Sequence, residues 1–426
     1  MTNLTPVQET SRAAKVQEIR TPGGLSAWLV EDYAVPLVAV QFAFRGGAAQ
    51  DPVEKPGLAT LLGGLLDEGA GPYDSAGFHE AMDELAVHLH FSADRDYIAG
   101  HFQTLTRNLD PAFELMRLAV CEARLEQGPI DRVTSQLVAS LKRELKDPDA
   151  LAARTFRAAA FPDHPYGRAA RGEIDSLPKI ARDDLMAMRA RVMARDNLVI
   201  AVVGAIDAPS LAARLDAVFG ALPANAQLEK IAPVVMSGVG TRIVSDVAVP
   251  QATIRFGRNG LDRSDPDFIA GVMVNHILGG GAFTARLFRE VREKRGLAYS
   301  VYSQMQNYDS TAMLVGATST KNERAAESLQ VIEEQIVDLS TNGPTEEELE
   351  KARKFLIGSY ALRFDTSTKI AGNLMQLQLE GRPTSYLDER NRLIGAITMD
   401  QARRAAHKLF GDGKLLVAVA GRPAGM

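Results

Sequence analysis

The stretch "VPLVAVQFAF", Val35 to Phe44, decides the fold, because a second stretch of the same kind follows half a chain later. The second, "VPQATIRFGR", begins at Val249, an offset of 214 residues (249 − 35). Both have the β-branched alternation that is typical of a strand. Another pair of short apolar runs, "NLVIAVVGAID" from Asn197 and "KLLVAVAGRP" from Lys414, repeats at an offset of 217 (414 − 197). Two strand patterns that recur at nearly one offset predict two duplicated domains.

Each half also contains long helical patterns between its paired strands. Residues 131–147 and 345–364 have the clearest periodicity, and the second opens with a capping signal, Thr345 followed by Glu348. A mixture of strands and helices in each half predicts an α+β fold of two homologous domains, each built of α/β layers.

The length of the chain supports the same division. A chain of 426 residues is too long for one ordinary core. A segment rich in Pro, Ala and Gly separates the two halves. We therefore expect an N-terminal domain at residues 1–222, a linker at 223–240 and a C-terminal domain at 241–426.

Composition narrows the classes of partner. The chain has 48 Lys and Arg against 53 Asp and Glu, a formal net charge of −5. This mild acidity argues against nucleic acid or an anionic membrane surface as the main partner. No apolar run is long enough to span a bilayer. Cys121 is the only cysteine, which excludes an intramolecular disulfide and a multi-thiolate zinc site.

The start of the chain bears on its compartment. The first residues have neither the basic segment nor the following apolar segment of a signal peptide. We expect a cytoplasmic protein as the chain stands, and a periplasmic one if a leader has been removed.

The histidines of the chain are candidate ligands of a metal. "FHEAMDEL" has His79 beside Glu80, but Asp83 stands where a zincin would need its second histidine. His88 and His90 alternate, which places both on one face of a strand. Isolated histidines of this kind usually serve as hydrogen-bonded structure, so an autonomous hydrolase with a metal on His79, His88 or His90 is the weakest of three hypotheses.

The most distinctive window is "FREVREKRGLAYSVYS", which begins at Phe288. Four cations lie within seven residues of it: Arg289, Arg292, Lys294 and Arg295. Cations at the end of a helix commonly complement its dipole, which is the simplest interpretation. Tyr299 and Tyr302, however, follow directly after the expected end of the helix, where a hydroxyl can be held at a cleft.

This window belongs to a longer resemblance. "LGGGAFTARLFREVREKRGLAYSVYS", from Leu278, is similar to the second-domain signature of the inverted-zincin peptidases, the group of pitrilysin, insulin-degrading enzyme and mitochondrial processing peptidase. "FPDHPYG", from Phe161, resembles a second motif of the same family. The resemblance covers nearly the whole chain and implies two duplicated domains that form half of a clamshell peptidase.

The stretch "GLATLLGGLLDEGAG", from Gly57, has the pattern of an amphipathic helix with an unusual polar face. Its apolar stripe is Leu58, Leu61, Leu62, Leu65 and Leu66. Thr60, Gly63 and Gly64 lie opposite, although each glycine inside a helix costs roughly 1 kcal/mol relative to alanine. In the family this helix carries H-x-x-E-H, two zinc-binding histidines and a general-base glutamate.

The resemblance places the three family residues at Thr60, Gly63 and Gly64. It places the third zinc ligand, a glutamate, at Ser140 or its neighbour Ala139. With these side chains absent, the resemblance implies no metal and no cofactor in this chain, which would be inactive alone. We also hypothesise that the two glycines leave space in the chamber for substrate or partner.

The second-domain pair of the family is present. An arginine and a tyrosine seven residues apart act there in catalysis, and they correspond to Arg292 and Tyr299. The resemblance implies a heterodimer in which a homologous H-x-x-E-H subunit holds zinc and the general base, with peptide extended against a sheet edge.

The leading hypothesis is therefore a zinc-free subunit of a heterodimeric metallopeptidase. The alternative is a non-enzymatic peptide-binding or assembly scaffold, as the core subunits of the respiratory bc1 complex resemble the peptidases. Homodimerisation of the isolated chain stays open.

Overall fold

The computed structural model describes residue 12 and residues 15–426, and its core is two mixed β-sheets. The first sheet has the strand order β1-β2-β6-β3-β5-β4, and the second has the order β7-β11-β8-β10-β9. The strands are β1 Gln17–Arg20, β2 Ser26–Glu31, β3 Leu37–Arg45, β4 His88–Ala93, β5 Tyr97–Leu105, β6 Leu198–Gly204, β7 Arg242–Asp246, β8 Gln251–Asn259, β9 Ala298–Tyr308, β10 Thr311–Lys321 and β11 Leu416–Gly421.

The two sheets repeat one topology. In the first, β2 pairs with β6 in parallel, and β3 continues antiparallel to β6 and β5, with β4 at the edge. In the second, β7 pairs with β11 in parallel, and β8 continues antiparallel to β11 and β10, with β9 at the edge. The duplication and the α+β class predicted from the strand repeats are confirmed.

Helices cover the sheets. They are α1 Leu58–Gly63, α2 Ser75–Glu84, α3 Leu109–Glu122, α4 Gln127–Glu144, α5 Pro148–Ala160, α6 Arg182–Val192, α7 Ala208–Phe219, α8 Phe268–Asn275, α9 Ala325–Asn342, α10 Glu346–Gly358, α11 Ser367–Leu379, α12 Tyr386–Gly395 and α13 Met399–Phe410. Two π-helical segments, His276–Gly280 and Phe288–Glu293, follow α8. Among the described residues, none of these helices combines the length and apolar character needed to cross a membrane.

Two of the predicted helices are present at the expected positions but are shorter than predicted. The helix predicted over 345–364 begins with the expected capping box of Thr345 and Glu348, but α-helix ends at Gly358 and a 3₁₀ segment continues to Phe364. The leucine-striped helix ends earlier still, at Gly63. All five leucines of the stripe are nevertheless buried, because the turns that follow keep the last two against the core.

The two halves exchange one helix each. Helix α5, which follows α4 of the first half, packs on β8 and β11 of the second sheet. Helix α11 of the second half packs on β3 and β6 of the first sheet. Phe156 on α5 lies so close to β8 that a Cβ on Gly257 would come within 2.8 Å of its ring, so glycine is required there. Each sheet therefore has its own helices on one face and a helix of the other half on its second face.

The segment 223–240 contains neither helix nor strand and bonds to both halves. Glu229 donates its backbone N–H to Gln50 Oε1 at 2.8 Å, and Val234 donates to the carbonyl of Ser310 at 2.9 Å. The domain boundaries on either side of it remain the predictions made above.

The "FPDHPYG" stretch lies at the junction of the halves. The Tyr166 hydroxyl is buried and donates to Asp96 Oδ1 at 2.5 Å, while it accepts from the backbone N–H of Ser310 at 3.1 Å. Asp96 Oδ2 accepts from the backbone N–H of Asp309 at 2.9 Å. The turn between β9 and β10 is thus held on the first half. Burial raises the pKa of the Asp96 carboxyl to about 6, against the opposing hydrogen bond from Tyr166.

Candidate functional site

Arg292 and Tyr299 are joined by a tight chain reversal. Arg292 lies on the π-helix Phe288–Glu293, and the chain turns at Gly296, where φ is +57°. Gly296 donates its N–H to the carbonyl of Arg292 at 3.0 Å, and Leu297 donates to that of Val291 at 2.9 Å. Such bonds close the end of a helix, and only glycine adopts this φ without strain. Strand β9 then begins at Ala298, which places Tyr299 beside the helix that carries Arg292.

Three of the four cations in this window are neutralised by one buried carboxylate, Glu290. Lys294 Nζ lies 2.8 Å from its Oε1, Arg295 Nη1 lies 2.9 Å from its Oε2, and Arg289 Nε lies 3.4 Å from its Oε1. Partial burial opposes ionisation of Glu290, but the hydrogen bonds from Lys294 and Arg295 outweigh it and lower its pKa to about 2. The cluster is therefore a closed ion-pair network rather than a row of free charges.

Arg292 stands outside this network. Across the described residues, no carboxylate lies within 4.0 Å of its guanidinium. Its Cζ lies 4.6 Å from the ring centroid of Tyr299 and 4.7 Å from that of Phe288. Stacking of this kind orients the planar fork and leaves its N–H donors free for a ligand. Tyr299 itself is 82% exposed, so its hydroxyl is open to solvent.

Arg286 anchors the motif and had no role in the sequence interpretation. Its side chain is 7% exposed, and its Nε and Nη2 donate to the two oxygens of Glu348 at 2.8 and 2.7 Å. Its Nη1 donates to Asp338 at 2.5 Å. These bonds fasten the start of the π-helix to α9 and α10. The only signal in the sequence was an arginine set among apolar residues, "FTARLF".

A cavity of about 810 Å³ lies in front of Arg292 and Tyr299. Its floor includes β9, which among the described residues pairs with β10 alone and is the edge of the second sheet. Asn275 fixes that strand, because it accepts a bond from Ser303 Oγ at 2.8 Å and donates to the Ser303 carbonyl at 3.3 Å. The rim is apolar, with Phe283 73% exposed. A strand with one free edge beside an apolar cavity is an arrangement that binds extended peptides.

The positions aligned with the zinc ligands lie in the first half, and other contacts occupy them. Thr60 Oγ1 donates to the carbonyl of Ala170 at 2.8 Å. The next residue, Arg171, donates from Nη2 to Ser140 Oγ at 3.2 Å and forms an ion pair with Glu144. The loop that carries Ala170 and Arg171 therefore bridges α1 and α4 with protein groups.

The two glycines do not border open space, so the space-making hypothesis is wrong. A Cβ on Gly63 would lie 3.4 Å from the carbonyl carbon of Ser92 on β4. A Cβ on Gly64 would lie 3.4 Å from Val133 Cγ1 on α4. Both glycines face neighbouring elements of the same domain, at distances where an added Cβ would make ordinary van der Waals contacts.

The residues present do not fit a zinc ion. A threonine hydroxyl, two glycines and a serine supply none of the imidazole or carboxylate ligands that zinc requires. In the part of the chain that the structure describes, no group of three or more His, Cys, Asp or Glu residues is placed to hold a metal.

Two of the three candidate histidines, His79 and His90, have structural contacts. His79 Nδ1 bonds to the carbonyl of Ser75 at 2.8 Å within α2. His88 and His90 do lie on one face of β4, as predicted, and His90 stacks on His101 with ring centroids 6.5 Å apart. His101 bonds in turn to Gln41. These contacts favour the structural interpretation.

Comparison with known proteins agrees with this geometry. One family model, described as Insulinase (Peptidase family M16), matches residues 28–173, and another, described as Peptidase M16 inactive domain, matches residues 179–356. The non-peptidase homolog YmxG of Helicobacter pylori is 27% identical over 337 residues, which are 79% of this chain and 78% of that protein. The beta subunit of the mitochondrial-processing peptidase of Blastocladiella emersonii is 21% identical over 415 residues, which are 96% of this chain and 89% of that protein.

A solved structure extends the likeness to the whole fold. The crystal structure of a peptidase M16 inactive domain from Pseudomonas fluorescens has a TM-score of 0.90 at 29% identity and covers 96% of this chain and 98% of that one. The chain belongs to the insulinase family, peptidase family M16, as a homologue that has the peptidase scaffold without the zinc-binding side chains.

Proposed function

We propose that this chain is the zinc-free subunit of a heterodimeric metallopeptidase and supplies Arg292 and Tyr299 to a site whose metal and general base belong to a homologous partner. One observation carries the proposal. In a window of four cations, Arg292 is the one that Glu290 does not neutralise, and it is stacked against an exposed tyrosine over a cavity. A purely structural basic cluster has no reason to leave that guanidinium unpaired.

The chemical roles follow from where charge develops. Attack of water on a peptide carbonyl places negative charge on the carbonyl oxygen, and a hydrogen bond from the Tyr299 hydroxyl is stronger to that oxyanion than to the ground-state carbonyl. Arg292 donates to a backbone carbonyl or carboxylate of the same peptide through its planar fork. The peptide lies extended along β9, where unpaired backbone groups of the edge strand align it.

The test mixes this chain with a homologous H-x-x-E-H subunit. We expect no peptide hydrolysis by this chain alone and hydrolysis by the mixture. Tyr299→Phe should lower kcat roughly ten- to a thousand-fold with little change in KM, because the lost bond forms fully only in the transition state. Tyr33→Phe is the matched control, since Tyr33 is another exposed tyrosine and bonds only to Glu31 among the described residues.

The alternative function is a peptide-binding scaffold without catalysis. The exposed Phe283 rim and the free edge of β9 favour peptide binding whether or not cleavage follows. Peptide binding with no turnover in the presence of H-x-x-E-H homologues would support the scaffold.

An unchanged kcat for Tyr299→Phe in an active mixture would remove the proposed role of that hydroxyl.

A further inference from the structure

A second cavity, of about 560 Å³, lies between α4, α5 and the loop 167–175, away from Arg292 and Tyr299. Its lining carries five arginines and three carboxylates: Arg95, Arg154, Arg157, Arg168, Arg171, Glu144, Glu173 and Asp175. Two of these carboxylates already have partners in the wall, because Glu144 pairs with Arg171 and Glu173 pairs with Arg154. The excess of positive charge is therefore concentrated on the remaining arginines.

Arg95 and Arg157 are two arginines of this lining that have no carboxylate partner among the described residues. Arg95 is 5% exposed, and in the described residues no carboxylate lies within 4.0 Å of either guanidinium. Burial, and after it the nearby charge of Arg95, lower the pKa of Arg157 to about 10. Two like charges in a cavity repel each other, and among the described residues neither guanidinium has a carboxylate partner to offset that repulsion.

Both side chains converge on one residue, Tyr308, at the end of β9. The Cζ of Arg95 lies 5.9 Å from the centre of its ring, and Tyr308 partly opposes the lowering of the Arg157 pKa. Arg95 also donates from Nη1 to the carbonyl of Arg168 at 3.2 Å. A guanidinium has five N–H donors, so these contacts leave further donors on both arginines, and both side chains line the cavity.

We propose that this cavity binds an oxyanion, the carboxylate or phosphate group of a small molecule, between Arg95 and Arg157. The planar forks of two arginines match the oxygens of such a group in bidentate geometry. The cavity is within the size range of small-molecule sites.

The test uses the full chain, with inorganic phosphate and succinate as probes, titrated at constant ionic strength balanced with potassium chloride. We expect saturable binding by isothermal titration calorimetry and a rise in Tm that chloride does not produce. Tighter binding of phosphate would identify a phosphate ligand, and tighter binding of succinate would identify a carboxylate.

Two variants make the test specific. Arg157→Met should weaken the preferred anion at least ten-fold, while Arg143→Met, which removes the same charge from the exposed surface of α4, should leave the affinity within two-fold. Without anion, Arg157→Met should be no less stable than the wild type, because it removes a desolvated cation. Arg157→Lys, which keeps the charge and loses the fork, should also bind more weakly. No saturable binding of either probe, or equal binding by Arg157→Met and wild type, would overturn the proposal.

Discussion

Replacing Arg286 with methionine should show how the helix that carries Arg292 is held in place. The substitution keeps much of the side-chain volume and removes three hydrogen bonds, two to Glu348 and one to Asp338. Removing one partner of a buried ion pair costs about 3–5 kcal/mol, because the other charge is left buried without compensation. Glu348 still accepts from the backbone N–H of Thr345 at 2.9 Å, and Asp338 is 46% exposed, so we expect the lower end, about 3 kcal/mol.

Urea unfolding of the full chain measures this loss, with Arg289→Met as the matched control three residues away. Arg289 is 44% exposed and lies 3.4 Å from Glu290 and 3.8 Å from Glu348, so its loss should cost no more than about 1 kcal/mol. Adding Glu348→Met to Arg286→Met removes both charges and should restore most of the stability. If Arg286→Met costs as little as the control, the network does not hold the motif helix, and the reasoning is wrong.

Two further predictions concern the junction and the glycines. For Asp96, the folded pKa of about 6 exceeds the ordinary 3.8, so stability falls as pH rises from about 4 to 6, by at most about 3 kcal/mol. The unfolding free energy of Asp96→Asn, measured at both ends of that range, should lack this part of the slope; an unchanged slope would place the titration elsewhere. Gly63→Ala should stabilise by up to ~1 kcal/mol, since its Cβ meets only ordinary contacts. Gly279→Ala should cost about 1–3 kcal/mol, since its Cβ would lie 2.5 Å from the backbone nitrogen of Ser303; equal Tm values for the two variants would contradict this.

The duplicated architecture was predictable because its signal is local. Strands at the centre of a sheet favour apolar and β-branched residues, and related patterns of this kind recur at β3 and β8 and again at β6 and β11. The capping box at Thr345 is equally local, since it depends on two side chains three residues apart. Patterns of this kind survive folding because the contacts that they describe lie within a few residues.

The exchange of α5 and α11 was not predictable on the same basis. Amphipathic periodicity shows that a helix buries one face, but it does not show which sheet receives that face. Phe156 packs against Gly257, about a hundred positions away in the sequence. The role of Tyr166 is hidden for the same reason, because Asp96 and Ser310 come from distant segments.

The candidate site shows the same limit at the level of single charges. Spacing alone identified four cations near a helix end, and the resemblance selected Arg292 among them. Only the geometry shows how they differ, since Glu290 reaches Arg289, Lys294 and Arg295 but not Arg292. Neutralisation depends on where one carboxylate points, and the sequence does not state that direction.

Helix α1, which the resemblance aligns with the zinc-site helix of the family, can be compared with its counterpart in the second half. In the first half, Gly63 faces Ser92 of the edge strand β4; in the second, Gly279 faces Ser303 of the edge strand β9. A glycine thus stands at the same kind of contact in both halves, where a helix backbone packs against its edge strand. The approach is closer in the second half, whose cavity holds Arg292 and Tyr299. Glycine is therefore required only at the closer contact of the second half, since a Cβ on Gly63 would meet ordinary contacts. In the first half, the bonds from Thr60 to Ala170 and from Arg171 to Ser140 hold α1 and α4 to the same loop.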